Sequence, residues 1–106
     1  MKVSRSAPYL IVWEFRARKG AVKRFQKVYG PAGDWAKFFA QGKGFVRTEL
    51  VRDRKQAGRF LTLDFWTSED AYVRFRKKHA AEYEALDKIC EKLTEYEAKV
   101  GGFERC

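Results

Sequence analysis

The sequence predicts an α+β sandwich: four antiparallel strands with helices on one face, in the chain order β-α-β-β-α-β. Three observations predict it. Between Arg59 and Trp66, Leu61, Leu63 and Phe65 alternate with Thr62, Asp64 and Trp66, the period of a strand with two unlike faces. At Thr67-Ser68 the period changes, since either residue caps a helix and Glu69 and Asp70 place negative charge at its positive end. Tyr72, Phe75, His79, Tyr83, Leu86, Cys90 and Leu93 then recur every three or four residues, one face of a long amphipathic helix.

The remaining elements follow in order. Residues 1–8 form a polar arm ending at Pro8. Tyr9 to Arg16 is a strand apolar on both sides, with Tyr9, Ile11, Trp13 and Phe15 on one face and Leu10 and Val12 on the other, broken by Glu14. Ala21 to Tyr29 has Val22, Phe25 and Tyr29 at helical spacing, and Gly30-Pro31-Ala32-Gly33 stops that helix. Asp34 is placed to cap a second short helix bearing Trp35, Phe38 and Phe39, closed by Gly42. Gly44 to Asp53 is the second strand, residues 54–58 a polar hairpin loop, and Thr94 to Phe103 a last strand at the sheet edge, ended by Gly101-Gly102. This order builds a single ferredoxin-like domain over residues 1–106. Helices then cover one sheet face only, leaving Leu10, Val12 and Trp66 to be covered by a second subunit, with Asp64 facing that partner and paired to a cation such as Arg47 or Arg16.

Composition sets outer bounds. A chain of 106 residues carries nine Phe, five Tyr and three Trp, more ring surface than one small sandwich readily buries, which again points to a homodimer. No run of about 18 apolar residues is present and no apolar leader core precedes Pro8, so the expected setting is the cytoplasm and not a membrane. Cys90 lies on the apolar stripe and Cys106 at the end; with one His they make no zinc spacing, so no metal is expected. Residues 1–59 hold 15 Lys/Arg against 4 Asp/Glu and residues 60–106 hold 8 against 10, so the net charge of +9 lies in the first half. Such a half attracts anions, nucleic acid included. The element order is also that of the RNA-recognition motif, but Lys43-Gly44-Phe45 fails its aromatic signature at Val46 and Arg47 and falls on the wrong strand, so an RNA-binding module is the less favoured alternative, kept open by the basic half.

The run Phe60-Leu-Thr-Leu-Asp-Phe-Trp-Thr-Ser-Glu-Asp-Ala-Tyr72, with Gly44-Phe45 and Gly58-Arg59 before it and the turn Phe15-Arg-Ala-Arg-Lys-Gly20, resembles the antibiotic biosynthesis monooxygenase superfamily of dimeric α/β barrels. The resemblance spans about residues 8 to 103 and implies fold and dimerisation. Its members include quinone-forming oxygenases without metal or flavin, haem-degrading enzymes, and proteins with no known reaction. Aligned through the Trp66 junction and Lys19-Gly20, the haem-degrading positions for Asn, Trp and His fall on Trp13, Phe75 and Ala85, so that branch is not matched.

Candidate chemistry centres on His79, the one histidine and the one side chain with an ordinary pKa suited to general-base work near neutrality. Tyr72 and Tyr83 share its stripe and can orient a polar group. Trp13, Trp35, Phe38 and Phe75 either line a flat pocket for a planar aromatic ligand or fill that space completely. The reading is a homodimeric, cofactor-independent monooxygenase acting on a quinol or phenol, with a non-catalytic ligand-binding or structural dimer as the alternative.

Overall fold

The computed structural model describes residues 8–106, so the predicted N-terminal arm, apart from Pro8, lies outside the described residues. Alternating segments form strands and stripe segments form helices in the expected order. These are β1 (Tyr9–Ala17), α1 (Val22–Tyr29), α2 (Asp34–Phe39), β2 (Phe45–Arg52), β3 (Arg59–Trp66), α3 (Glu69–Lys78), α4 (Ala80–Cys90), a 3₁₀ turn (Glu91–Leu93) and β4 (Thr94–Glu104). The strands make one antiparallel sheet ordered β2-β3-β1-β4 with the helices packed on one face, the ferredoxin-like arrangement. No helix among the described residues is long and apolar enough to cross a membrane.

Strand parity decides what each face carries. Ile11 and Phe15 of β1, with Phe60 and Trp66 of β3, belong to the helix-side core, and Phe45 and Leu50 of β2 pack against it. Tyr9 lies opposite Trp66 and Val12 opposite Leu63, so Leu61, Leu63 and Phe65 share the other face with Leu10 and Val12. Trp66 is therefore not on the open face as its sequence position suggested. It is fully buried, with Phe45, Phe75 and Tyr72 rings at centroid distances of 5.3, 5.5 and 5.5 Å. Asp64 has the same parity and also turns inward, away from Arg47 and Arg16. A bulge between Phe45 and Arg47 lets Phe45 and Thr48 both face the helices, and Thr48 meets Asp64. On the open face Glu14 is matched, because Arg59 Nε donates to it at 2.7 Å and Arg59 Nη1 to Asp53 at 2.8 Å.

The long helix is two helices. Ser68 caps α3, its hydroxyl accepting from the Ala71 amide at 3.0 Å. His79 then leaves helical geometry (φ −113°, ψ 31°), ending α3 and starting α4. Its amide still donates to Phe75 and its carbonyl still accepts from Tyr83, both at 2.9 Å, so the stripe passes through the bend and Tyr72, Phe75, Cys90 and Leu93 are buried as expected. Between α1 and α2 the break needs glycine, since a Cβ at Gly33 would lie 2.3 Å from the Lys27 and Val28 carbonyl oxygens. Gly33 holds the N-cap position and Asp34 sits in the first turn. At the other end Gly101-Gly102 does not end β4, which pairs on to Glu104; Gly102 instead leaves room for the Tyr9 hydroxyl, which a Cβ would meet at 2.4 Å.

Trp66 stitches β3, β2 and α3 together, and its removal opens a large cavity. Trp66→Ala should lower the free energy of unfolding by about 3–5 kcal/mol in denaturant titration. A loss below about 1 kcal/mol would place Trp66 at the surface.

Candidate active site

The sheet face under the helices is apolar at its ends and polar in its middle. Phe60 and Trp66 bracket Thr62 and Asp64 on β3, and Thr48 of β2 lies beside them. A cavity of about 260 Å³ lies between these polar groups and the helices. The sheet contributes Ile11, Trp13, Phe15, Thr48, Thr62 and Asp64 to its lining. Trp35, Phe39 and Tyr29 from α1 and α2 supply aromatic wall; Tyr72 and Arg76 of α3 and Tyr83 of α4 supply the rest. Half-buried Asp87 of α4 and exposed Glu97 of β4 mark its solvent side.

Asp64 is the chemically unusual member. It is 7% exposed, and its Oδ1 accepts a 2.6 Å hydrogen bond from the Thr48 hydroxyl. Burial pushes its carboxyl from 3.8 up to about 6, with the Thr48 bond pulling the other way. Arg76 donates from Nη1 to the Tyr72 hydroxyl at 3.0 Å and lies 3.7 Å over the Tyr83 ring. Its guanidinium is charged at any working pH. Burial, opposed by the Arg76 charge, raises Tyr83, so its hydroxyl remains a donor.

Of the residues singled out in the sequence, Trp13, Trp35, Tyr72 and Tyr83 line this cavity together. Phe38 and Phe75 do not; their rings pack on each other at 5.0 Å, behind the wall. His79 is not among the lining residues either. Its ring lies tilted against Phe75 at 4.5 Å and beside Phe38 at 5.9 Å, and its Nδ1 lies 2.5 Å from Glu82 Oε1. Sequence reasoning missed Asp64, Thr48, Thr62 and Arg76. Parity ties Asp64 to the side of Phe60 and Trp66 and sets Leu61, Leu63 and Phe65 on the other, but it does not say which side the helices cover. Among the described residues no three His, Cys, Asp or Glu side chains gather as a metal site.

The family model for antibiotic biosynthesis monooxygenases matches residues 8–85 of this chain. The chain belongs to that family. Two structures of SnoaB, a cofactor-independent oxygenase from Streptomyces nogalater, are similar along most of their length. One, a variant, is 24% identical over 93% of each chain with a TM-score of 0.72. The other is 25% identical over 94% of each with a TM-score of 0.64. A Nitrosomonas europaea protein named for the same family shares the fold at 10% identity, over 92% of this chain and 88% of that one, with a TM-score of 0.69. Among curated proteins none matches the chain. The family's structures confirm the ferredoxin-like fold expected of the sequence.

The buried carboxyl of this family member should make stability depend on pH. With a folded pKa of about 6 against 3.8, the fold favours neutral Asp64. The contribution of the neutral form is fully present below 3.8 and is lost as pH rises through 6. Asp64→Asn removes that loss while keeping an acceptor for Thr48. Its stability relative to the parent should therefore rise by up to roughly 3 kcal/mol between about pH 3.5 and pH 8 in urea titrations. A difference independent of pH would show that Asp64 is solvated.

Proposed function

We propose that this protein is a monooxygenase that takes a planar phenol or quinol into the sheet–helix cavity and oxidises it with molecular oxygen, without metal or flavin. The observation that carries the reading is Asp64, a carboxyl poised near neutrality beside an aromatic-walled cavity that also holds a guanidinium. The likeness to SnoaB supports the reaction type. At about 260 Å³ the cavity is smaller than the roughly 300–1,000 Å³ of drug-sized sites, so it suits a compact ligand of one or two fused rings.

In this reading Asp64, not His79, is the general base. The balanced change is phenol plus O₂ to quinone plus water, with all four electrons supplied by the substrate. Carboxylate Asp64 takes the hydroxyl proton, and the negative charge spreads onto a ring carbon. An electron passes to O₂, the C–O bond forms at that carbon, and Asp64 returns its proton to the resulting peroxide. Loss of the carbon's hydrogen as a proton and cleavage of the O–O bond release water and leave the second carbonyl. Arg76 supplies fixed positive charge while the substrate is anionic, and Tyr72 and Tyr83 donate hydrogen bonds. Trp13 and Trp35 offer flat surfaces on which the ring stacks.

The working form in this proposal is a homodimer joined through the open sheet face. Leu10, Val12, Leu61, Leu63 and Phe65 lie on that side without a helix over them, bordered by Arg47 over the Phe65 ring and by the Glu14–Arg59 pair, and such an apolar strip is what a second sheet covers. Sedimentation should show a dimer at micromolar concentration, and Leu63→Lys should dissociate it by burying an unpaired charge. A monodisperse parent monomer would refute the arrangement.

Oxygen uptake with a panel of quinols and naphthols tests the chemistry. Asp64→Asn should lower turnover at least 100-fold, the lower limit of what a positioned base contributes, and the parent's kcat/KM should rise with pH through about 6. His79→Ala should stay within about threefold of the parent, since a residue away from the cavity costs little. Full activity in Asp64→Asn at matched folding would remove the base assignment. Phenol binding without oxygen uptake would leave a ligand-binding dimer.

A further inference from the structure

Among the described residues Arg76 is the one cation lining the cavity, and no ion pair includes it. Its Nη1 donates to the Tyr72 hydroxyl at 3.0 Å and its guanidinium carbon lies 3.7 Å over the Tyr83 ring, both neutral groups. Asp64 accepts from Thr48 instead, and Asp87 acts on Arg76 through space without bonding to it. The Arg76 Nε is buried and has no hydrogen-bond partner. A buried donor left unmatched is costly, most of all on a charged group. The shape of the guanidinium says what would match it. Tyr72 takes Nη1, at one edge. Nε–H and one N–H of Nη2 run parallel along another, the pair that receives both oxygens of a carboxylate. No hydrogen bond among the described residues uses either.

We propose that the phenols taken by this cavity also carry a carboxylate, which docks side-on along the Nε–Nη2 edge of Arg76 while the hydroxyl reaches Asp64. The substrate class is then a hydroxylated aromatic acid of one or two rings. Asp64 on β3 and Arg76 on α3 line the same cavity without pairing, so a ligand bearing both groups joins them across it. Two effects oppose each other. Asp87 and Glu97 also line the cavity and repel an anion. Glu97 is exposed and Asp87 only half-buried, so solvent screens both. Arg76 acts at bonding distance through two charge-assisted hydrogen bonds, each roughly twice as strong as a neutral one. The contact outweighs the repulsion. The same guanidinium stays in place as positive charge when the hydroxyl loses its proton.

This inference rests on the aromatic-pocket reading above, and neutral ligands separate the two. Calorimetric titration compares naphthol, a hydroxynaphthoate whose two groups sit on different rings, and the matching carboxamide, in low salt at about pH 5.5. There the aromatic acid is ionised, while burial keeps Asp64 mainly protonated. The hydroxynaphthoate should bind at least about tenfold more tightly than the carboxamide. Arg76→Lys keeps the charge and loses the fork, so the ratio there should fall to within about threefold. Asp87→Asn removes a repelling charge and should tighten the hydroxynaphthoate by roughly threefold. Thermal melting checks folding. If Arg76→Lys does not fold, Asp87→Asn decides: tightening supports the site and an unchanged affinity overturns it. If naphthol binds and the acid binds no more tightly than its amide, the carboxylate site is overturned and the pocket stands. If the preference survives in Arg76→Lys, Arg76 does not hold the acid and the proposal fails. If none of the three binds, the pocket reading fails and this one with it.

Discussion

The parity of β3 is the constraint on which the rest of the structure depends. In a strand, side chains alternate strictly, so placing Phe60 and Trp66 in the core commits Thr62 and Asp64 to the same side. The same commitment sends Leu61, Leu63 and Phe65 to the uncovered face. The helix side therefore holds a polar patch between its core rings, and an apolar strip flanked by the Glu14–Arg59 pair and Arg47 faces outward. A cavity on one side and an apolar sheet surface on the other are two consequences of one register.

Stability and chemistry divide along the length of that strand. At its ends, large rings hold the frame: Trp66 against Phe39, Phe45 and Phe75, and Phe60 against Phe25. In its middle the chain keeps a carboxyl in a place that disfavours its ionised form, with one hydroxyl as partner. Well-packed apolar residues would stabilise the domain better there. A buried acid with a shifted pKa beside an empty space is a liability for folding and an asset for proton transfer.

His79 and Asp64 show that residue type alone does not say which side chain faces a cavity. An imidazole has the right intrinsic pKa, but here the bend between α3 and α4 sets it outside the cavity against Phe75 and Glu82. An aspartate has the wrong intrinsic pKa, and the environment corrects it. In the proposed reaction it is location that gives Asp64 the part of base and leaves His79 without one.

Much of the fold was legible in the sequence because its signals are local. Period-two alternation, the capping residues at Thr67-Ser68, the Gly-Pro break after Tyr29 and the spacing of the apolar stripe each act within a few residues, and together they determined the element order and the edge position of β4. The aromatic lining was partly legible, for Trp13, Trp35, Tyr72 and Tyr83 do meet at one cavity. The inward turn of Trp66 and Asp64 was not. Both faces of β1 are apolar and β3 is amphipathic in either sense, so alternation alone cannot say which face the helices cover. Nor does a bend at His79 announce itself without a proline or glycine. Only the packing of helices across the sheet decided which parity was interior, because that choice is made by contacts between residues distant in the chain.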